Sequence, residues 1–182
     1  MKHSLFFLPL AVALAMPLVA EDASSFKLTS TDVVNGQLGK ASYSENAGGK
    51  GASPQLSWTG FPTQTKSFVV TVFDADAPTP SGLWHWAVKD IPVVVTSLST
   101  GAGAPGGQSM PAKAVTLPND IRLPFFIGAE PPIGQKHRYV ITVYALDVET
   151  LSIPADSTPA FLSLNLLGHT LGKASLTAVG QH

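Results

Sequence analysis

The segment from Ser67 to Phe73 reads Ser-Phe-Val-Val-Thr-Val-Phe and puts apolar side chains on both faces of an extended chain. Successive residues of a strand point to opposite faces, so neither face of this one can lie against water. Such a strand sits inside a sheet and is covered from both sides, which requires packed layers. Around it, 16 glycines and 15 prolines separate short apolar runs rich in β-branched and aromatic residues, as expected of strands alternating with ordered turns. The expected fold is therefore all-β dominated, a two-layer β-sandwich. Strands are expected at Phe26–Val34, Gln55–Trp58, Ser67–Phe73, Leu83–Asp90, His137–Ala145 and Lys173–Val179.

One helix is expected near the C-terminus. Asp156, Ser157 and Thr158 offer caps, Pro159 suits a first helical position, and Phe161, Leu162, Leu164, Leu166 and Leu167 follow before Gly168. Its leucines are expected to pack on the sheet. The stretches 43–54, 98–112 and 117–136 have loop composition, and the last holds Pro118, Pro124, Pro131 and Pro132, too many for a flexible linker. Ordered loops of this length usually carry function.

The N-terminus has another logic. Lys2 and His3 precede an uncharged apolar run from Leu5 to Val19, and Ala20 stands before Glu21 and Asp22. This is the pattern of a secretory signal, too short for a comfortable membrane span and interrupted by Pro9 and Pro17. Residues 1–20 are expected to be removed and residues 21–182 to form one domain, periplasmic or secreted and not an integral membrane protein. The formal net charge of -1 and the lack of a basic cluster argue against a nucleic-acid partner. With no cysteine, disulfides, a catalytic thiol and thiolate metal ligation are excluded.

Candidate chemistry gathers at strand ends. Asp74 and Asp76 follow the strand 67–73, where Ala77-Pro78 breaks the ladder. In the run 137–141, His137 and Tyr139 share one face and Arg138 takes the other. By the same alternation His85 lies opposite Trp84 and Trp86 and shares its face with small Ala87. Two histidines beside a carboxylate can meet a phosphate or carboxylate with charge-assisted hydrogen bonds, and backbone N–H groups at Gly128-Ala129 can complete the cradle. Ordinary structural roles compete with this reading: an aspartate at a strand end often caps a turn, and an isolated histidine is often a satisfied core residue. The two tryptophans are read as core, Arg138 as a structural ion-pair member and His169 as a helix-end residue.

Together the runs Asp-Ala-Asp-Ala-Pro at 74–78, Trp-His-Trp at 84–86 and Pro-Pro-Ile-Gly-Gln-Lys-His-Arg-Tyr at 131–139 resemble the phosphatidylethanolamine-binding protein family, more closely its bacterial, Raf-kinase-inhibitor-like branch. The stretches 53–58, 143–147 and 168–176 match that branch too. The resemblance implies a β-sandwich with a few peripheral helices and an anion pocket to which Asp74, Asp76, His85, His137, Tyr139, Gly128 and Pro131 contribute. It also implies a cis peptide at Ala77–Pro78. The sequence departs from the family pattern at Ala75, at Phe125-Phe126 and at Glu130, where a carboxylate beside the pocket would repel an anion.

The leading expectation is an exported, non-catalytic protein that binds a small anion such as phosphate or a phosphoryl head group, without a cofactor, and that regulates or inhibits a protein partner. No serine sits in a nucleophile-elbow sequence, which weighs against an enzyme. Two other readings stand beside it: a metal-assisted hydrolase using the same histidines and aspartates, and an inhibitor of an exported protease acting through a surface loop.

Overall fold

The computed structural model describes residues 25–182. The expected signal segment, residues 1–20, lies outside them.

The chain forms two sheets. Strands β1 (Lys27–Thr29), β4 (Leu56–Thr59) and β7 (Ser97–Leu98) make a small sheet in the order β1-β4-β7. The large sheet has seven strands in the order β2-β3-β10-β9-β5-β6-β8: β2 (Val33–Val34), β3 (Gln37–Leu38), β5 (Ser67–Asp74), β6 (Leu83–Pro92), β8 (Val115–Thr116), β9 (Lys136–Leu146) and β10 (Thr170–Gln181). β5 lies between β6 and β9, antiparallel to both. Its two apolar faces are used as the sequence requires. Phe68, Val70 and Val72 join Trp86, Val88, Ile141 and Val143 against Leu28, Leu56, Trp58 and Leu98 of the small sheet. Val69 points the other way, into a second core with Ala87, Leu146, Leu151, Leu162 and Leu166.

Helix α1 (Pro159–Leu166) covers that second face. Thr158 caps it by accepting from Phe161 N at 3.2 Å, and Pro159 opens it. Of its leucines only Leu162 and Leu166 are buried, while Phe161, Leu164 and Leu167 face outward. The expectation that its leucines as a group pack on the sheet thus holds for one face, because a single helix stripe touches the sheet.

The expected strand Phe26–Val34 is two strands in different sheets. Asp32 fixes the break: its Oδ2 accepts from Gln55 N at 2.7 Å and from the Thr100 hydroxyl at 2.5 Å. β2 and β3 are joined by Asn35-Gly36, both with positive φ (52° and 75°), the two-residue turn whose twist suits a hairpin. The two-residue strands β7 and β8 lie at the edges of stretches read from sequence as loop. Among the described residues no helix is long and apolar enough to cross a membrane.

Candidate functional site

At the end of the large sheet where β5 stops, β6 begins and β9 begins, a cavity of about 570 Å³ opens. Its floor contains Asp74, His85 and His137, each about 3% exposed. Asp74 ends β5 opposite Leu83 and Tyr139. One of its oxygens, Oδ2, lies 2.7 Å from His137 Nδ1, and the other accepts from Asp76 N at 2.9 Å. A carboxylate accepts, so His137 Nδ1 carries the proton.

Strand alternation alone would turn His85 away from Trp86. The pairing of β5 with β6 explains why it is not: Val72 faces Trp86 and Phe73 faces Trp84, so His85 is the extra residue of a β-bulge. The rings of His85 and Trp86 consequently both lie against Phe126, at 6.4 and 6.2 Å between centroids. Ala87, which alternation grouped with His85, packs in the other core.

The Nδ1 of His85 lies 2.8 Å from the Ile127 carbonyl, which can only accept, so that nitrogen holds the hydrogen. Its Nε2 is buried without a hydrogen-bond partner and lies 3.9 Å from Asp74 Oδ2. Burial pushes the imidazole pKa below its usual value, and the Ile127 carbonyl and the Asp74 charge oppose this only in part. Tyr139 stands behind the floor, its ring edge-on to His85 at 5.2 Å. Its hydroxyl is buried without a hydrogen bond of ordinary geometry, and burial, then the Asp74 charge, raises its pKa.

The walls come from the loops. Asn119, almost fully buried, accepts from the N–H groups of Ile121 and Leu123 and donates to the Phe125 carbonyl, which shapes the wall carrying Ile121 and Phe125. Gly128 lets the 125–130 loop touch the 43–44 backbone: a Cβ there would lie 2.4 Å from Ser44 N. Ala129 exchanges backbone hydrogen bonds of 2.9 Å with Ser42 and Ser44. Glu130 accepts from the Ser44 hydroxyl at 2.7 Å, and Glu130, Lys50 and Glu45 all line the cavity.

Not every residue singled out from sequence reaches this cavity. Asp74, His85, His137 and Gly128 line it. Asp76 turns outward, and its carboxylate takes Arg138 Nε, Nη2 and backbone N at 2.7 to 2.8 Å, which lowers its pKa to about 2. That pair is the structural role expected of Arg138. Pro132, not Pro131, lines the cavity, while the Pro131 carbonyl accepts from His182 Nδ1 at 3.2 Å. The Ala77–Pro78 bond is not cis, contrary to expectation. The reversal is made instead by Asp74 accepting from Asp76 N and by a 2.7 Å bond from Thr79 N to the Ala77 carbonyl. Asn119, Ile127 and Ser44 were not singled out. The run Pro118-Asn119-Asp120 carries a turn signal that points to the first, but a backbone carbonyl partner has no sequence signature. Among the described residues no group of three or more His, Cys, Asp or Glu side chains is arranged to hold a metal ion.

Fold and site define a β-sandwich with a deep cavity whose walls are mainly apolar and whose floor is polar, the form of a small-ligand site. A model of the family described as phosphatidylethanolamine-binding protein matches residues 29–181. The UPF0098 protein YbcL of Escherichia coli is 39% identical over 173 residues, 93% of this chain and 94% of that protein. UPF0098 protein YbhB of the same organism is 41% identical over 131 residues, 72% of this chain and 82% of its own length. The crystal structure of E. coli YbcL, described as a new member of the mammalian PEBP family, superposes with a TM-score of 0.82 at 38% identity, covering 87% of this chain and 99% of that one. A phosphatidylethanolamine-binding protein homologue from Chlamydia trachomatis gives 0.74 at 29% identity, covering 87% and 98%. The chain belongs to the phosphatidylethanolamine-binding protein family, and that membership supports a binding protein.

Proposed function

We propose that this is an exported, non-catalytic binding protein whose cavity takes a small oxyanion, phosphate or a phosphoryl group, on the floor formed by Asp74, His85 and His137. The observation that carries the reading is the Nε2 of His85, buried in the lining without a partner. A buried polar atom left unpaired costs free energy that a ligand recovers by pairing with it. The hydrogen bonds from His85 Nδ1 to the Ile127 carbonyl and from His137 Nδ1 to Asp74 orient both rings, leaving His85 Nε2 unpartnered and His137 Nε2 with only a 3.4 Å contact to Gln135 Oε1. Lys50, in the cavity lining, supplies a neighbouring cationic donor, whereas Tyr139 stands behind the floor and the N–H groups of Ile127 and Ala129 are given to the His85 and Ser42 carbonyls. The apolar upper wall leaves room for the group to which the anion is attached, and a protein partner is the natural source of regulation by an exported domain of this kind.

Calorimetric titration of the purified protein with inorganic phosphate, near pH 6 and near pH 8, with and without a chelator, tests this. Binding that tightens toward the lower pH and ignores the chelator is expected. Absence of binding at both pH values removes the anion site, and loss of function on chelation would favour a metal-assisted hydrolase instead. N-terminal sequencing of the protein recovered from outside the cytoplasm tests export, and an intact Met1 there would contradict cleavage after about residue 20.

A further inference from the structure

We infer that the site selects oxyanions that bring a proton with them: phosphate and phosphomonoesters in preference to sulfate and phosphodiesters. This rests on the anion reading above and adds to it the chemical class of the ligand. The geometry that assigns it is the tautomer of His85. Its Nδ1 faces the Ile127 carbonyl at 2.8 Å, and a carbonyl has no hydrogen to give. In the neutral ring Nε2 is therefore a bare lone pair, and it is the atom left unpartnered in the cavity lining. The neighbouring Asp74 Oδ2, 3.9 Å away, is also an acceptor. One side of the floor thus offers two acceptors and no hydrogen.

An oxyanion without a proton meets that side lone pair to lone pair. A sulfate or a phosphodiester carries no ionisable hydrogen near neutral pH, so it leaves Nε2 unpaired unless the imidazole first takes up a proton. A phosphomonoester, whose second pKa is about 6, keeps a protonated fraction near neutrality and can donate O–H to Nε2. Its remaining oxygens then accept from the donors of the site. A site that hydrogen-bonds a ligand hydroxyl rejects an analogue lacking it, because the buried group is left unpaired. The groups that face His85 set when the ring charges: Asp74 on β5, Tyr139 and His137 on β9, Phe126 and Ile127 on the adjoining loop, and Asp120 further off. Burial outweighs the two carboxylates and keeps the ring neutral to lower pH than a free histidine.

The preference is the reverse of what a diester phospholipid head group would need, so competing sources of the phosphoryl group are separable. Inorganic phosphate, methyl phosphate, sulfate and glycerophosphoethanolamine, a diester, are titrated into the purified protein at pH near 6.5, where a group of pKa about 6 keeps roughly a quarter of its molecules protonated. Phosphate and methyl phosphate are expected to bind roughly three- to thirtyfold more tightly than sulfate and the diester, the range of one hydrogen bond to a buried or charged group less the cost of protonating the ligand. The ratio should shrink as pH falls through the range in which His85 takes up a proton. In His85→Gln, whose amide can donate as well as accept, the ratio should fall to about one. Nitrogen-15 NMR of the wild-type imidazole gives a reading independent of that variant's folding, with a neutral ring protonated on Nδ1 as the expected state. Equal affinity for phosphate and sulfate, tighter binding of the diester, or a ring protonated on Nε2 at neutral pH overturns the inference while leaving the anion site standing. Failure of all four ligands to bind overturns both.

Discussion

Replacing Gly128 by alanine should damage fold and site together. A Cβ at this position would lie 2.4 Å from Ser44 N, 2.6 Å from Ser44 Cα and 2.7 Å from Tyr43 C, all backbone atoms that no rotamer change can move. Ordinary contact begins near 3.4 Å, so the 125–130 loop must retreat by about 1 Å from the 43–44 segment. That movement strains the Ala129 hydrogen bonds to Ser42 and Ser44, both 2.9 Å, and the 2.8 Å contact from the Ile127 carbonyl to His85. Two to three hydrogen bonds at about 1 kcal/mol each, plus overpacking, put the loss at about 2 to 4 kcal/mol. Urea unfolding of Gly128→Ala beside Gly134→Ala measures it. Gly134 has a positive φ of 80° but no atom within 4 Å of a Cβ, so only the left-handed strain of about 1 to 2 kcal/mol applies there. Phosphate binding should weaken in Gly128→Ala because His85 loses its positioning carbonyl. A Gly128→Ala protein within about 0.5 kcal/mol of wild type, with unchanged phosphate affinity, would refute the close approach as the reason for glycine.

Three further outcomes follow from the same geometry. His85→Ala should cost about 1 to 3 kcal/mol of phosphate binding by calorimetry, whereas Arg138→Ala, whose partner Asp76 lies outside the cavity, should leave the affinity unchanged. Because burial lowers the His85 pKa, the unfolded chain binds a proton that the folded chain refuses; the stability from this residue is present above about pH 6.5 and is lost as pH falls toward the folded value. Urea unfolding between about pH 7 and 5 should therefore show a shallower decline in His85→Gln. Glu130→Gln, removing a lining carboxylate held by Ser44, should tighten phosphate binding a few-fold in low salt and have little effect at high ionic strength.

The layered fold was legible because burial of β5 on both faces follows directly from its composition, and the helix because its cap, its Pro159 and its terminal glycine are local signals. Edge strands of two residues carry too few side chains to show a period, so β7 and β8 are not among the expected strands. The single strand drawn through Phe26–Val34 missed that Asp32 organises three segments by accepting hydrogen bonds, an effect of tertiary contacts. Asp74 and His137 were legible as strand-end candidates, and the pairing of β5 with β9 brings them together, whereas the orientation of His85 was not legible. Alternation assumes a regular ladder, and a bulge at the residue of interest inverts the conclusion. The separate fates of Asp74 and Asp76 do follow a rule: two residues apart in a turn, one closes the turn inward and the other is free to pair with Arg138. The cis peptide came only from the resemblance, and the turn is closed here by hydrogen bonds of Asp74 and Thr79.

The proposed oxyanion site is the buried floor of Asp74, His85 and His137. Its most direct test is a crystal structure of the protein grown with millimolar phosphate near pH 6. A phosphate is expected in the cavity of about 570 Å³ with oxygens within hydrogen-bonding distance of the Nε2 atoms of both His85 and His137, and with Asp76 still bound to Arg138. A cavity without phosphate, or phosphate held by Arg138 at the surface instead, would contradict it.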